Sequence, residues 1–451
     1  MAKKFKIYTL GCKVNQYDSG VLAGKLKAAG FLLVKNNASL AIVNTCAVTQ
    51  TAIRKGRKMV VKARKENPKA RIIITGCWPK VYKEAGYGNE KSVVVVRNEK
   101  ELEKISGFSG RDMGSRNKAD GGGPVKDDEV MPCTKVISAN DRARYSIKIQ
   151  DGCEQFCSYC IIPYARGKMK SRLMDEVLEE IKTAVEKGYR EVVLCGIHLG
   201  LYGKDFKNKK LGTGGRTRNV NLAGLLKKAA EIKNLGRVRL SSIEITEVSD
   251  ELIKLMADYT RQADAKKSGA KICRHLHIPL QSGSDKILKL MNRPYAAAYF
   301  RKRARAIRKK LPDIALTTDV ITGFPGETEK DFKETYNFIR EMKFSRLHVF
   351  PFSAHEKTPA ARLPFRVPEE IKSERAAKLK SLGEKMALDY KNKFRGRSLF
   401  VVIENKRKGE WLLGKTEYYF DVVFTEKNIP DAVKIDSKRL AGKIAKVKYW
   451  K

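Results

Sequence analysis

Cys153, Cys157 and Cys160 are spaced C-x3-C-x2-C in the run Gly152-Cys153-Glu154-Gln155-Phe156-Cys157-Ser158-Tyr159-Cys160. Three thiolates on one tight loop can hold three irons of a cubane cluster and leave the fourth iron without a protein ligand. An open iron is a site for chemistry, whereas four-cysteine ferredoxin spacings fill every corner and serve electron transfer. The next cysteine, Cys195, lies 35 residues on. A structural zinc site is the alternative, closed by a distant His or Cys. Zinc ribbons and fingers, however, carry a second C-x2-4-C pair, and none follows here.

A second set of three cysteines is less conspicuous. Strand-like runs Lys6–Gly11, Ala41–Thr45 and Ile72–Gly76 end at Cys12, Cys46 and Cys77, which are 34 and 31 residues apart. Those separations match one βα repeat, with helices expected at roughly 15–30 and 48–66. In a doubly wound parallel sheet the C-terminal strand ends share one edge, where ligands bind, so three thiolates should converge there. A lone cysteine after a strand is ordinarily a small buried hydrophobe, which is the reading for Cys133, Cys195 and Cys273. Three at equivalent places in successive repeats point to a second metal cluster.

The elements that must position these residues fall into an α/β pattern. After a loop-like stretch containing Gly121-Gly122-Gly123-Pro124, strands are expected at Tyr145–Ile149, Glu191–Ile197, Arg237–Ile243, His275–Leu280, Ala315–Thr322 and Arg346–Phe352, with helices between them. Six βα units suit a partial (β/α)6 barrel, and the cysteine loop after its first strand would lie at the C-terminal mouth. Gly196, Ser242, Glu244 and Gln281 end later strands, so they should face the same mouth and hold a cofactor. Beyond a basic helix at 369–394, short strands at Ser398–Glu404, Trp411–Lys415, Tyr418–Phe424 and Lys443–Tyr449 predict a small β-barrel. Its Trp411, Tyr418, Tyr419 and Phe420 could stack on RNA or fill the barrel core. The expected domains are 1–108, a linker or insertion at 109–140, a core at 141–390 and the barrel at 391–451.

Composition narrows the partners. The chain has 451 residues, 42% of them hydrophobic, and a formal net charge of +43. Several domains can fold from it, and such an excess of positive charge asks for a polyanion. Basic clusters at 54–65 and 301–310 favour nucleic acid over a merely solvated surface. No run of 18 apolar residues occurs, and Met1–Phe5 leads straight into a strand, so a cytoplasmic location without membrane contact is expected. Nine cysteines in that compartment argue for metal ligation over disulfides.

The C-x3-C-x2-C loop, with the aromatic Tyr159 before its last cysteine, resembles that of the radical S-adenosylmethionine enzymes. The three-part order resembles the methylthiotransferases of that class, with a C-terminal TRAM domain. Gly11-Cys12-Lys13-Val14-Asn15-Gln16, Val43-Asn44-Thr45-Cys46, Gly196-Ile197-His198, His275–Ser284 and Leu347–Pro351 resemble the MtaB-type branch. That branch places a methylthio group on carbon 2 of threonylcarbamoyladenosine beside the anticodon in tRNA.

The resemblance implies two 4Fe-4S clusters. Cys153, Cys157 and Cys160 would hold the one that cleaves S-adenosyl-L-methionine to a 5'-deoxyadenosyl radical, with Tyr159, Gly196, Ser242, Glu244 and Gln281 around the cofactor. Cys12, Cys46 and Cys77 would hold the auxiliary cluster that delivers sulfur. It implies as partners a tRNA anticodon stem-loop and an electron donor such as flavodoxin or ferredoxin, and a monomer. Trp78-Pro79 after Cys77 and Phe352–Pro359 depart from the family pattern. A methylthiotransferase acting on a ribosomal protein side chain and a non-enzymatic iron-sulfur RNA-binding protein are the alternatives. Lys13-Val14-Asn15 and the basic composition weigh against the ribosomal substrate.

Overall fold

A computed structural model describes residues 3–82, 92–97, 101, 143–206, 220–428 and 440–450. The expected linker at 109–140, and Cys133 within it, lie outside the described residues. The chain forms two compact units. One comprises Met1–Asn140, Gly152–Glu154 and Cys160–Lys168; the other comprises Asp141–Asp151, Gln155–Tyr159 and Met169–Lys451.

In the first unit β1 (Lys4–Thr9), β2 (Leu32–Leu33), β3 (Leu40–Thr45), β4 (Arg71–Gly76) and β5 (Val93–Val95) form a parallel sheet in the order β2-β1-β3-β4-β5. All six residues of β3 are buried, as a central strand covered on both faces requires. One face packs Phe5, Ile42 and Ile73 under Ala23 and Leu26 of α1 (Lys13–Ala28). The other packs Val43, Ile72 and Ile74 under Ile53, Val60 and Ala63 of α2 (Gln50–Glu66), whose start is capped by the Thr49 side chain accepting from the Ala52 N–H. Short helices α3 (Cys77–Val81) and α4 (Ile162–Arg166) pack together, with Ile161 and Ala165 joining the second core. The short strands β2 and β5 were not expected from sequence. Two and three residues are too few for a periodic signal.

The second unit contains two parallel three-stranded sheets. They are β6 (Tyr145–Lys148) with β9 (Glu191–Cys195) and β10 (Arg237–Leu240), and β11 (His275–His277) with β12 (Ala315–Thr322) and β13 (Arg346–Pro351). Parallel bridges Val238/Ile272 and Ser242/His277 link the two into one chain-ordered array. Strand β7 (Gln150–Asp151) pairs antiparallel with β8 (Lys170–Ser171). Several ladders stop before the expected strand ends. The Leu280 N–H, for example, turns to the Thr318 Oγ1 at 2.9 Å instead of a strand carbonyl. Helices α5 (Met174–Glu186), α6 (Leu222–Glu231), α7 (Asp250–Ala265), α8 (Asp285–Leu290), α9 (Ala297–Lys310), α10 (Glu329–Met342) and α11 (Glu369–Asn392) follow in order.

The chain closes with an antiparallel sheet of order β16-β15-β14-β17, made of β14 (Ser398–Lys408), β15 (Trp411–Thr416), β16 (Asp421–Phe424) and β17 (Ile444–Lys448). Tyr418, expected in a strand, instead lies in a turn closed by the Thr416 N–H on the Phe420 carbonyl at 3.0 Å. The turn belongs to the same unit as the parallel array, and buried charge fastens it there. Glu191 binds Arg237 at 2.6 Å and Arg239 at 2.7 Å. The two guanidiniums then donate to the carbonyls of Phe400, Lys415, Thr416 and Glu417 at 2.7–3.2 Å. Burial alone would raise the Glu191 carboxyl, but Arg237 and Arg239 overcome it and hold the group at about 2. Among the described residues no helix is long and apolar enough to cross a membrane.

Candidate functional site

The first three cysteines follow three neighbouring strands. Thr9 pairs with Asn44, Asn44 with Thr75 and Thr45 with Gly76, so Cys12, Cys46 and Cys77 leave the sheet at one edge. The strand order reverses between β1 and β3, and in such sheets the crevice at that point receives ligands. Cys12 occupies the N-cap position of α1, where the helix dipole favours an anion. Glycines bring the thiols together. Gly11 has φ +101°, and a Cβ there would lie 2.8 Å from the Cys46 Cβ; Gly76 has φ +97°, and a Cβ there would lie 2.3 Å from the Thr45 carbonyl oxygen.

Two buried asparagines tie the loops. The Asn15 amide donates to the Leu10 and Thr45 carbonyls, both at 2.9 Å, and Asn44 donates to the Asn15 carbonyl and Ser19 Oγ, both at 2.9 Å. Asn15 Oδ1 accepts from the Cys77 thiol at 3.8 Å and from the Arg166 guanidinium. Burial pushes the Cys46 thiol up to about 11, Cys77 and Cys12 push the same way, and the Val48 N–H and Arg166 oppose them. Burial raises Cys77 as well, against Arg166. Metal ligation therefore has to release protons from buried thiols. Among the described residues no three His, Cys, Asp or Glu groups close around one point as a single ion would need. A cubane instead takes one thiolate on each of three corners, and three clustered thiols with a cation beside them match that need.

Trp78, a departure from the family pattern, is buried in the core against Gly56 of α2, with the Arg57 guanidinium 5.8 Å from its ring.

Of the second cysteine set, Cys153 and Cys160 belong to the first unit and Cys157 and Tyr159 to the second. The Cys153 N–H donates to the Gly167 carbonyl at 3.0 Å. Gly152, with φ +74°, comes so near Lys168 that a Cβ would lie 2.0 Å from its carbonyl oxygen. In the other unit the segment after α8 clamps residues 156–158. Ser158 donates its N–H to Met291 O at 3.0 Å and its hydroxyl to Leu290 O at 2.7 Å, while the Asn292 amide donates to Phe156 O at 3.0 Å. Arg293 donates to the buried Cys157 sulfur at 3.3 Å and to the Tyr159 hydroxyl at 3.5 Å. Its other nitrogen pairs with Glu244 and meets the Tyr295 hydroxyl at 3.0 Å.

The remaining candidates lie apart in their roles. Gly196 gives room to Gln150, whose Oε1 would be 3.0 Å from a Cβ there and which accepts the His198 N–H at 2.7 Å. Ser242 is exposed beside the His277 bridge, and Gln281 takes φ +68° where its backbone bridges to Val320. Glu244 is a partner of Arg293, and burial raises its carboxyl against that pairing. Sequence reasoning missed Arg293, Arg166, Asn15 and Asn44 as site residues. The two asparagines lie inside the motifs around Cys12 and Cys46, but nothing in the sequence marks either arginine among so many basic residues.

Of the four C-terminal aromatics, Tyr418 and Phe420 are core. Tyr419 stacks on His275 at 4.4 Å, and Trp411 is exposed. Trp450 is a further exposed ring, with the Lys448 ammonium 4.2 Å from it.

Residues 147–339 match the Radical SAM superfamily, and residues 4–97 match the Uncharacterized protein family UPF0004. The chain is 37% identical to the threonylcarbamoyladenosine tRNA methylthiotransferase MtaB of Bacillus subtilis (strain 168), over 98% of this chain and 93% of that protein. It is 35% identical to the enzyme of the same name from Thermotoga maritima, over 97% and 95%. A tRNA-2-methylthio-N(6)-dimethylallyladenosine synthase from Carboxydothermus hydrogenoformans is 34% identical over 99% and 96%. Among solved structures the methyltransferase TsrM from Kitasatospora setae has a TM-score of 0.54 at 14% identity, covering 80% of this chain and 77% of that one, which speaks to the fold alone. The full-length relatives and the two domain matches agree with the two cysteine sets, and the chain belongs to the radical S-adenosylmethionine methylthiotransferase family.

Proposed function

We propose that the protein adds a methylthio group to carbon 2 of threonylcarbamoyladenosine next to the anticodon of tRNA. The observation that carries this reading is the delivery of Cys12, Cys46 and Cys77 to one sheet edge, in a chain that also has the C-x3-C-x2-C loop. A single radical site does not require a second thiolate set, whereas sulfur insertion does.

Cys153, Cys157 and Cys160 would hold one 4Fe-4S cluster, and Cys12, Cys46 and Cys77 a second. The clusters and S-adenosylmethionine supply, when bound, the radical and the sulfur that the side chains lack. The chain's own residues position and shield. Arg293 directs hydrogen bonds at Cys157 and Tyr159 and is itself held by Glu244 and Tyr295. The Tyr295 hydroxyl donates in turn to Pro279 O at 2.9 Å, so the guanidinium cannot swing away without breaking a buried network. Asn15 and Asn44 fix the loops that present Cys12, Cys46 and Cys77. Gly196, Ser242 and Gln281, with Tyr159 and Glu244, are the cofactor-side residues in this reading.

We further read the chain as a methylthiotransferase domain at 1–108, a linker at 109–140, a radical core at 141–390 shaped as an open six-stranded barrel, and a TRAM-like barrel at 391–451. The protein would act as a cytoplasmic monomer, reduced by a flavodoxin or ferredoxin. Exposed Trp411 and the neighbouring Lys406, Arg407 and Lys408 supply a stacking face and phosphate contacts for the anticodon stem-loop.

Identity to dimethylallyladenosine synthases is nearly as high, so a dimethylallyl-bearing base is the competing substrate. Nucleoside mass spectrometry of tRNA from a strain lacking the gene decides between them. Loss of methylthiolated threonylcarbamoyladenosine supports the proposal, and loss of the dimethylallyl counterpart supports the competitor.

A further inference from the structure

Arg166 lies six residues past Cys160, at the end of α4, yet its side chain serves the other cysteine set. It is 5% exposed. The guanidinium donates to Asp18 of α1 at 3.1 Å and to Asn15 Oδ1, the same oxygen that accepts from the Cys77 thiol. Its charge favours the ionised form of both Cys77 and Cys46 against their burial. Lys80 also acts on Cys77, with a smaller effect than Arg166. All of these groups lie within the first unit. A guanidinium remains charged at any working pH, and so close to buried sulfur it acts through a low dielectric.

We infer that Arg166 is a positioning residue that fixes the reduction potential of the cluster held by Cys12, Cys46 and Cys77. A fixed positive charge held beside the ligating sulfurs, through the Asn15 oxygen that also meets Cys77, stabilises the reduced, more negative cluster and raises its potential. Asp18 is the counterweight: it orients the guanidinium and offsets part of its charge. One short helix thus follows the radical loop in sequence and sets the electrostatics of the sulfur-delivering site.

The inference rests on Cys12, Cys46 and Cys77 being cluster ligands, and that reading is tested first. The full chain carrying Cys153→Ala, Cys157→Ala and Cys160→Ala is reconstituted anaerobically with iron and sulfide. About four irons per chain are expected; none would overturn the ligand reading and the inference with it. In that background the cluster is titrated with dithionite, one electron entering per cluster, and followed by electron paramagnetic resonance.

Arg166→Gln should lower the midpoint potential, with a roughly tenfold fall in the reduced-to-oxidised ratio at fixed potential, which is about 59 mV for one electron. Asp18→Asn should move it the opposite way, and Arg166→Lys should restore most of the parent value. A purely architectural role predicts no shift, or shifts of the same sign in Arg166→Gln and Asp18→Asn, and either result overturns the inference. If Arg166→Gln fails to take up iron, a loaded Arg166→Lys near the parent value together with an upward Asp18→Asn supports it. Failure of Arg166→Lys to load as well would assign Arg166 to the fold and overturn it.

Discussion

Arg293 donates a hydrogen bond to the Cys157 sulfur at 3.3 Å while Glu244 and Tyr295 hold the guanidinium from its other side. The contact joins two points 136 residues apart in the chain and lies in the buried interior of the second unit.

Arg293→Lys should keep the charge but lose the bidentate geometry, because an ammonium cannot meet Glu244 and Cys157 at once. Supporting groups around metal ligands are worth about 10–100-fold in metal affinity or activity. The expected outcome is a fall of that size in 5'-deoxyadenosine formation with RNA binding unchanged, read by product chromatography and a filter-binding assay. Unchanged formation would separate Arg293 from the radical site.

Cys12→Ala should leave cofactor cleavage in place and abolish methylthio transfer. Iron content should fall from about eight to about four per chain. Iron analysis and the 5'-deoxyadenosine assay check this together. Loss of both products would mean that the two cysteine sets do not act separately.

Gly76→Ala meets two obstacles, φ +97° and a Cβ position 2.3 Å from the Thr45 carbonyl oxygen. Gly30→Ala meets only the first, since φ is +82° and nothing lies within 4 Å. Strained left-handed backbone costs on the order of 1–3 kcal/mol, and the backbone clash adds to it at Gly76 alone. Thermal unfolding should show a larger drop for Gly76→Ala, accompanied by loss of iron at the Cys12, Cys46 and Cys77 site.

Glu191 ties pH to stability. Its folded carboxyl is held at about 2, below its ordinary value of 4.5, so its contribution is fully present above pH 4.5 and disappears as pH falls towards 2. The amount is on the order of 3 kcal/mol. Glu191→Gln leaves Arg237 and Arg239 buried without their counter-charge, and breaking such a pair costs about 3–5 kcal/mol. Denaturant unfolding at several pH values should show the variant less stable at pH 7 and the gap narrowing between pH 4.5 and 2.

What could be read from sequence followed the strength of local signals. The βα repeat placed Cys12, Cys46 and Cys77 after β1, β3 and β4 because apolar runs and glycines recur there at near-equal spacing. Long elements such as β12 and α11 were visible for the same reason. Tyr418 was assigned to a strand because an aromatic among alternating residues looks alike in a strand and in a packed turn; burial against Phe394 and Tyr449 decides for the turn. Arg166, Arg293, Arg237 and Arg239 could not be distinguished from solvated cations. What sets them apart is burial beside a sulfur, a carboxylate or a carbonyl, which arises from residues 46 to 178 positions distant.

Incubation of the anaerobically reconstituted, reduced protein with S-adenosylmethionine and an anticodon stem-loop bearing threonylcarbamoyladenosine, followed by nucleoside mass spectrometry, puts both cysteine sets and the substrate to one test. Methylthiolated threonylcarbamoyladenosine together with 5'-deoxyadenosine is the expected result. An unmodified base despite cofactor cleavage, or methylthiolation only of a dimethylallyladenosine stem-loop, would contradict the proposed function.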